Sequence, residues 1–262
     1  MQDVGDDGPV HEVLAAWGAL QVVGTLGGGN RNEVLELRRG RQRLVARRSR
    51  RSAASLDWEI RLLEHLARCG IRVPAVVPTV DGRWQVDGVL VMSWLNGRRP
   101  AAGDWPAVAG ALRRVHEATR GWAQRPGSAS TRELLVTDRG GDVDLSTMPV
   151  EAVAASRRAW AALAGSTEAV VHGDPGPANI RITPAGVGLL DWDEARVDAT
   201  DLDLAELPYS DLPPERLTVA RAAATAWEAA NGWTVEPSYA RRQLALLRTR
   251  SHNFARRRTT IS

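Results

Sequence analysis

The sequence predicts an α+β chain of two lobes, a small β-rich lobe followed by a larger, mainly helical one. Three observations carry this. Short apolar runs separated by glycine turns fill most of the first ninety residues, with one amphipathic helical stretch among them. Four long helical patterns follow residue 98. Residues 93–97 form a short connector between the two regimes. The expected division is therefore 1–92, a hinge at 93–97, and 98–262.

In chain order, residues 11–17 read as a short helix. Residues 21–26, 33–38 and 43–48 read as strands, separated by the turn Gly27-Gly28-Gly29-Asn30 and by a tight hairpin around Gly40. Residues 56–69 read as an amphipathic helix. Leu56, Ile60, Leu63 and Ala67 recur at helical spacing, Leu62 and Leu66 widen that face, and Gly70 is the stop signal. Gly82 marks a turn between short strands, the second running through Val89-Leu90-Val91-Met92. Helical patterns then occupy 105–119, 150–164, 214–231 and 237–250. A compact region of short apolar runs and polar turns, 169–205, separates the second of these from the third.

Composition removes several mechanisms. All 34 Lys+Arg residues are arginine. Without lysine there is no Walker A loop and no Schiff-base chemistry. Cys69 is the single cysteine, so an intrachain disulfide, a zinc ribbon and an iron–sulfur cluster are excluded, and one free thiol fits a reducing compartment. The five histidines stand in no H-E-x-x-H arrangement, which argues against a zinc hydrolase. Residues 1–9 are acidic rather than basic-then-apolar, and residues 13–30 are too polar to span a bilayer. A soluble, cytoplasmic protein with no membrane partner is expected.

Charge is uneven. Residues 1–120 carry 18 arginines against 13 acids, residues 121–240 carry 9 against 18, and residues 241–262 carry 7 against none. A basic first part beside an acidic middle suits a phosphorylated ligand in one and a cation or metal in the other. The net charge of +3 is too small to argue for a nucleic-acid partner.

Two blocks carry chemistry. The first is His172-Gly173-Asp174-Pro175-Gly176-Pro177-Ala178-Asn179, preceded by the apolar run Ala169-Val170-Val171. The second is Leu189-Leu190-Asp191-Trp192-Asp193, also behind an apolar run. Asp174 can accept a proton from a hydroxyl. Asn179 and Asp191 are hard oxygen ligands suited to Mg²⁺ between phosphates. The D-x-x-x-x-N spacing, with a metal aspartate further on, is that of a kinase catalytic loop.

These blocks, with Asp203-Leu204-Ala205 beyond them, resemble the aminoglycoside phosphotransferase family, a branch of the protein-kinase-like fold. The resemblance covers roughly residues 20–210. It implies a bilobal fold and transfer of the γ-phosphate of Mg-ATP to a hydroxyl of a small molecule. It makes Asp174 the catalytic base and Asn179 and Asp191 the metal ligands. Gly27, Gly28 and Gly29 resemble the phosphate-covering turn, where glycines allow close backbone approach. Arg47 stands for the basic residue of the third strand, with Arg48 as the alternative one residue out of register. In protein kinases that position is lysine, and arginine is not its equivalent. Glu59 resembles the helix glutamate that pairs with it. Ser93 and Leu95 would offer their backbone to adenine. His172 and Asp203 would hold the catalytic loop, and His116 reads as a packing residue.

The acceptor stays open. Residues 191–215 hold nine acids against Arg196 alone, which would attract a cationic acceptor such as an aminoglycoside or another aminated antibiotic, or would simply form a solvated acidic loop. Trp192 and Trp227 are either a cation–π wall or core. Relatives acting on choline, homoserine or sugars keep a metabolite kinase open. A nucleotide-binding pseudokinase is a third reading, resting on the arginine at 47 and on the irregular glycine turn. Oligomeric state and the role of the arginine-rich tail are undetermined.

Overall fold

The computed structural model describes residues 10–27 and 32–259. Two compact units divide the chain. One holds residues up to Arg99 together with Arg181–Asp193, the other Pro100–Ile180 and Glu194 onward. The first is a small antiparallel sheet with a covering helix and the second is mainly helical, so the fold is the expected bilobal, kinase-like α+β class.

In the first unit, the short helix α1 (Val10–Val13) runs into a 3₁₀ turn, Leu14–Trp17. The sheet has the order β1-β2-β3-β5-β4, from β1 (Gln21–Thr25), β2 (Glu33–Arg39), β3 (Gln42–Arg48), β4 (Val76–Val77) and β5 (Val89–Ser93). Period-two alternation sorts the side chains. Leu35, Leu37, Leu44, Ala46, Val89 and Val91 face a core shared with Val10, Leu14 and Trp17. Leu90, one residue out of that phase, packs instead with Leu56 and Ile60 of α2 (Ala53–Arg68). Arg47 lies opposite Leu90 in the ladder and shares its face. Helix α2 begins three residues earlier than its apolar pattern suggested, because the Ser52 hydroxyl accepts the Ser55 N–H at 3.3 Å and caps it.

The hairpin of β9 (Ile180–Thr183) and β10 (Gly186–Leu189) also belongs to this unit from Arg181 onward. Backbone bonds attach it. Arg98 and Ile182 exchange N–H···O bonds of 3.1 and 2.8 Å, and the Leu189 N–H reaches the Arg72 carbonyl at 2.9 Å. The segment bearing Asp191 therefore returns to the β-rich unit, which chain order alone did not anticipate.

The second unit contains α3 (Trp105–Ala118), α4 (Val150–Ala161), α5 (Asp201–Ala205), α6 (Pro214–Asn231) and α7 (Pro237–Thr259). A small hairpin joins β6 (Arg139–Gly140) to β7 (Val143–Asp144), and β8 (Glu168–Val171) pairs antiparallel with β11 (Arg196–Ala199). Alanines 220, 223, 226, 229 and 230 give α6 a slim buried flank. Trp160, Trp227, Leu244 and Leu247 fill the core around it. The Trp160 indole N–H donates to the Ala223 carbonyl at 3.2 Å, so its polar handle is satisfied. Among the described residues no helix is long and apolar enough to cross a membrane.

Candidate active site

Each unit carries its own set of the expected residues. In the first, Arg47 is 3% exposed and donates through Nη2 to Glu59 Oε1 at 2.7 Å. The register alternative, Arg48, is half-buried on the opposite face of β3, so Arg47 is the residue that meets Glu59. Burial works against the guanidinium charge. The carboxylates of Glu59, Asp193 and Asp191 outweigh it and hold its pKa above the ordinary value. Nη1 of Arg47 reaches Asp191 Oδ1 at 3.4 Å. Nε is buried with no hydrogen-bond partner, an orphaned donor beside this cluster. Asp191 has φ +54°, a left-handed conformation uncommon outside glycine, and its side chain is half exposed.

Asp193 was not singled out from the sequence beyond its place in an acidic run. It is buried and accepts from Ser49 Oγ at 3.3 Å and from Arg51 Nη2 at 3.4 Å. It thus ties the chain just past β3 to the segment that carries Asp191. The signal was present in the D-W-D pattern, but its partners are some 140 residues away in sequence.

At the hinge, the Ser93 N–H is taken by the Ala75 carbonyl at 2.8 Å, and the Ser93 hydroxyl accepts the Ala75 N–H at 2.9 Å. Neither bond uses the Ser93 carbonyl. The N–H of Ser93 is therefore closed to adenine, which narrows that expectation to its C=O and to the backbone of Leu95. Gly27 follows β1, and nothing stands where a side chain would project. Gly28 and Gly29 lie outside the described residues.

In the second unit, β8 is followed directly by His172, Gly173 and Asp174. The anchor beneath them is Asp203, 1% exposed near the start of α5. Its Oδ2 accepts the His172 N–H at 2.8 Å and its Oδ1 the Gly173 N–H at 3.0 Å. His116 Nε2 lies 2.9 Å from Oδ2, so His116 is a partner in this network and not a mere packing residue. Burial alone would push the Asp203 carboxyl up. His116, His172 and the Gly173 N–H outweigh burial and hold it below the usual range. His172 Nδ1 accepts the Asp174 N–H at 3.3 Å, which fixes the backbone of the exposed aspartate. Gly173 has φ +86°, and a Cβ there would sit 2.6 Å from the Glu194 carbonyl. The H-G-D order is thus a steric requirement as well as a chemical one.

Asn179 donates through Nδ2 to Asp174 Oδ2 at 2.8 Å and to the Asp174 carbonyl at 3.1 Å. That orientation leaves the amide oxygen of Asn179 as a hard donor outside these bonds. Among the described residues no group of three or more His, Cys, Asp or Glu could hold a metal by itself. The Asp191 carboxylate of the first unit and the Asn179 amide oxygen of the second are each hard oxygen donors of the kind Mg²⁺ takes. The orphaned Arg47 Nε likewise fits a phosphate oxygen.

The acidic surplus sorts into used and unused carboxylates. Asp198 is buried among Thr131, Arg196 and its own strand, Asp201 is held by Arg216, and Asp211 by Arg113. These are structural. Glu206 is different. Its surface is exposed, yet protein crowds its carboxylate. Burial, then Glu228, Asp203 and Asp174, push its pKa well up against the opposing charge of Arg196. Glu228 is also raised, by burial and then by Glu194 and Asp174, although the Tyr239 hydroxyl donates to it at 3.0 Å. Glu228 carried no signal in the sequence, being one acid on an alanine-rich helix. Trp192 is core, with its indole N–H on the Leu189 carbonyl at 3.3 Å. The face of Trp227 is covered by Arg196 at 3.3 Å, so neither tryptophan forms an open cation–π wall.

Comparison with known proteins assigns the chain to one family. The model of the phosphotransferase enzyme family aligns with residues 22–241. An uncharacterized protein of Deinococcus radiodurans is 29% identical over 234 residues, covering 75% of this chain and 67% of that protein. Among solved structures, a microcompartment-associated aminopropanol kinase superposes with TM-score 0.64 at 16% identity, covering 91% of this chain and 93% of that one. A putative fructosamine-3-kinase from Thermobifida fusca gives 0.63 at 18%, covering 95% and 100%. A choline kinase from Streptococcus pneumoniae gives 0.62 at 15%, covering 92% and 96%. At these identities the structures speak for the fold, and the family match speaks for the class: the chain belongs to the phosphotransferase enzyme family, built on the bilobal kinase-like fold.

Proposed function

We propose that the chain transfers the γ-phosphoryl group of Mg-ATP to a hydroxyl of a small, amine-bearing molecule. The observation that carries the transfer step is the Asp174–Asn179 pair. Asn179 Nδ2 holds one carboxylate oxygen of Asp174 at 2.8 Å, and the other is left to meet an acceptor hydroxyl. In this reading Asp174 orients the hydroxyl and takes its proton. Arg47, fixed by Glu59, presents Nε and Nη1 to the nucleotide phosphates, and the turn at Gly27 covers them. The Ser93 carbonyl and the Leu95 backbone receive the adenine. The oxygens of Asn179 and Asp191 would hold Mg²⁺, which supplies charge neutralisation on the phosphate oxygens when bound. Most of the acceleration then comes from positioning and preorganised charge.

The amine is supported by the carboxylates of Glu206 and Glu228. Both are raised by burial and by one another or by neighbouring acids, with Asp174 among the acids that raise each. An ammonium group beside them relieves that repulsion and favours their ionised forms. A neutral sugar offers no such relief.

The test is ADP release with Mg-ATP over aminoglycosides, other aminated antibiotics, choline, amino alcohols, homoserine and neutral sugars. Asp174→Asn should lose about 10²–10⁴ of the turnover, the range of a general base, while keeping nucleotide affinity. Unchanged turnover in Asp174→Asn refutes the assignment. Nucleotide binding with no transfer to any acceptor favours the pseudokinase.

A further inference from the structure

The Arg47 cluster does more than replace a lysine. A lysine carries one nitrogen centre, whereas the guanidinium is a rigid plane of three. Here two are already committed, Nη2 to Glu59 at 2.7 Å and Nη1 to Asp191 at 3.4 Å, and the third, Nε, is buried without a partner. One buried cation thus bridges the helix glutamate and the carboxylate proposed for the metal. The chain contains no lysine at any position, so this fork is the only form of cation the third strand can present.

We infer that Arg47 acts as a latch on Asp191, releasing that carboxylate to a divalent metal only when nucleotide phosphates draw the guanidinium away. The inference rests on the phosphotransferase reading of the site and specifies how its two ligands are coupled. Metal alone competes with Arg47 for Asp191. Phosphate oxygens satisfy Nε and replace Asp191 at Nη1, while Glu59 keeps Nη2 and the side chain in place. Nucleotide and metal then bind with positive coupling, and linkage makes it reciprocal. Arg47 is in this respect a positioning residue, acting on the metal through Asp191.

The experiment uses the full chain and calorimetric titration with Mn²⁺, alone and with saturating ADP. Asp191→Ala identifies the heat belonging to this site. In the wild type, ADP should strengthen Mn²⁺ binding by about fivefold or more, the low end of coupling between linked sites. Arg47→Lys keeps the charge but loses the fork. It should tighten Mn²⁺ binding without nucleotide by a similar factor and shrink the effect of ADP correspondingly. Arg47→Gln, checked by circular dichroism for retained fold, should act in the same direction. Equal Mn²⁺ affinity in wild type and Arg47→Lys, whether tight or undetectable, overturns the latch, as does an ADP effect as large in both variants as in the wild type, since the phosphates of ADP also coordinate Mn²⁺ directly. Failure of ADP to bind the wild type at all would instead sink the phosphotransferase reading.

Discussion

Removing the Asp203 carboxylate should cost the second unit a large part of its stability. The side chain is 1% exposed, and its two oxygens serve the N–H groups of His172 and Gly173 and the ring of His116. Asp203→Ala leaves one buried and one partly buried backbone donor, and one imidazole, without their acceptor. Each unsatisfied donor costs about 1–3 kcal/mol, and each hydrogen bond to a charged group is worth about 1.5–3 kcal/mol. These figures overlap, so a total of about 3–5 kcal/mol is taken. For a chain of this size that is a drop in Tm of roughly 6–20 °C. Asp203→Asn can keep a carbonyl oxygen toward His172 and His116, but turns an NH₂ toward the Gly173 N–H. It should fall about midway, near 1–3 kcal/mol, one orphaned donor. The assay is urea unfolding followed by tryptophan fluorescence, which Trp160 and Trp227 in the core of this unit report. The pH dependence follows from the lowered pKa. The contribution of Asp203 is present above the unfolded carboxyl value, about 3.9, and is lost as pH falls through the folded one. An Asp203→Ala variant whose unfolding transition for this unit lies within about 1 kcal/mol of wild type would refute the reasoning.

Three further outcomes are expected. Glu206→Gln should raise Tm at neutral pH and have no effect near pH 4, because a raised carboxyl pKa weakens the fold only as pH climbs from the unfolded value, about 4.3, through the folded one. An increase that is the same at both pH values would contradict this. Gly173→Ala should destabilise by about 1–3 kcal/mol or more from backbone strain alone, with the Cβ contact to the Glu194 carbonyl at 2.6 Å added, and should lower kcat, since Asp174 is the next residue. Chemical denaturation and steady-state kinetics check it together. Glu59→Ala should cost about 3–5 kcal/mol by stranding the buried Arg47 charge, whereas Glu59→Gln, which keeps an acceptor, should cost less and mainly raise KM for Mg-ATP.

The parts of this architecture that follow from period were legible before any coordinates. Alternation put Leu35, Leu37, Leu44 and Ala46 on one face of the sheet, and the same period sends Arg47 to the other. Helical spacing placed Leu56, Ile60 and Leu63 in one stripe. Glu59 falls within that stripe, and a buried charge there needs a partner, which the structure supplies in Arg47. What period cannot give is partnership across long separations. Asp193 with Ser49, His116 with Asp203, and Glu206 near Glu228 are brought together by chain folding, and no local pattern encodes them. The acidic run 191–215 misled in part for the same reason. Read as one surplus, it divides into carboxylates consumed by Arg113, Arg196 and Arg216 and the few that remain. The return of residues 181–193 to the β-rich unit was also hidden, because its anchors are backbone bonds to Arg72 and Arg98 and side-chain bonds to Arg47, Ser49 and Arg51, all distant in sequence.

The central claim is transfer of a phosphoryl group to a hydroxyl of an amine-bearing small molecule. Its most direct test is phosphorus-31 NMR of the chain with Mg-ATP and the acceptor panel, with Asp174→Asn run in parallel. The account predicts a new phosphomonoester signal, split by carbon-bound protons of one aminated acceptor, growing as the γ-phosphate of ATP disappears and absent in the variant. A spectrum showing only ADP and inorganic phosphate with every acceptor, or an ester formed equally well by Asp174→Asn, would contradict it.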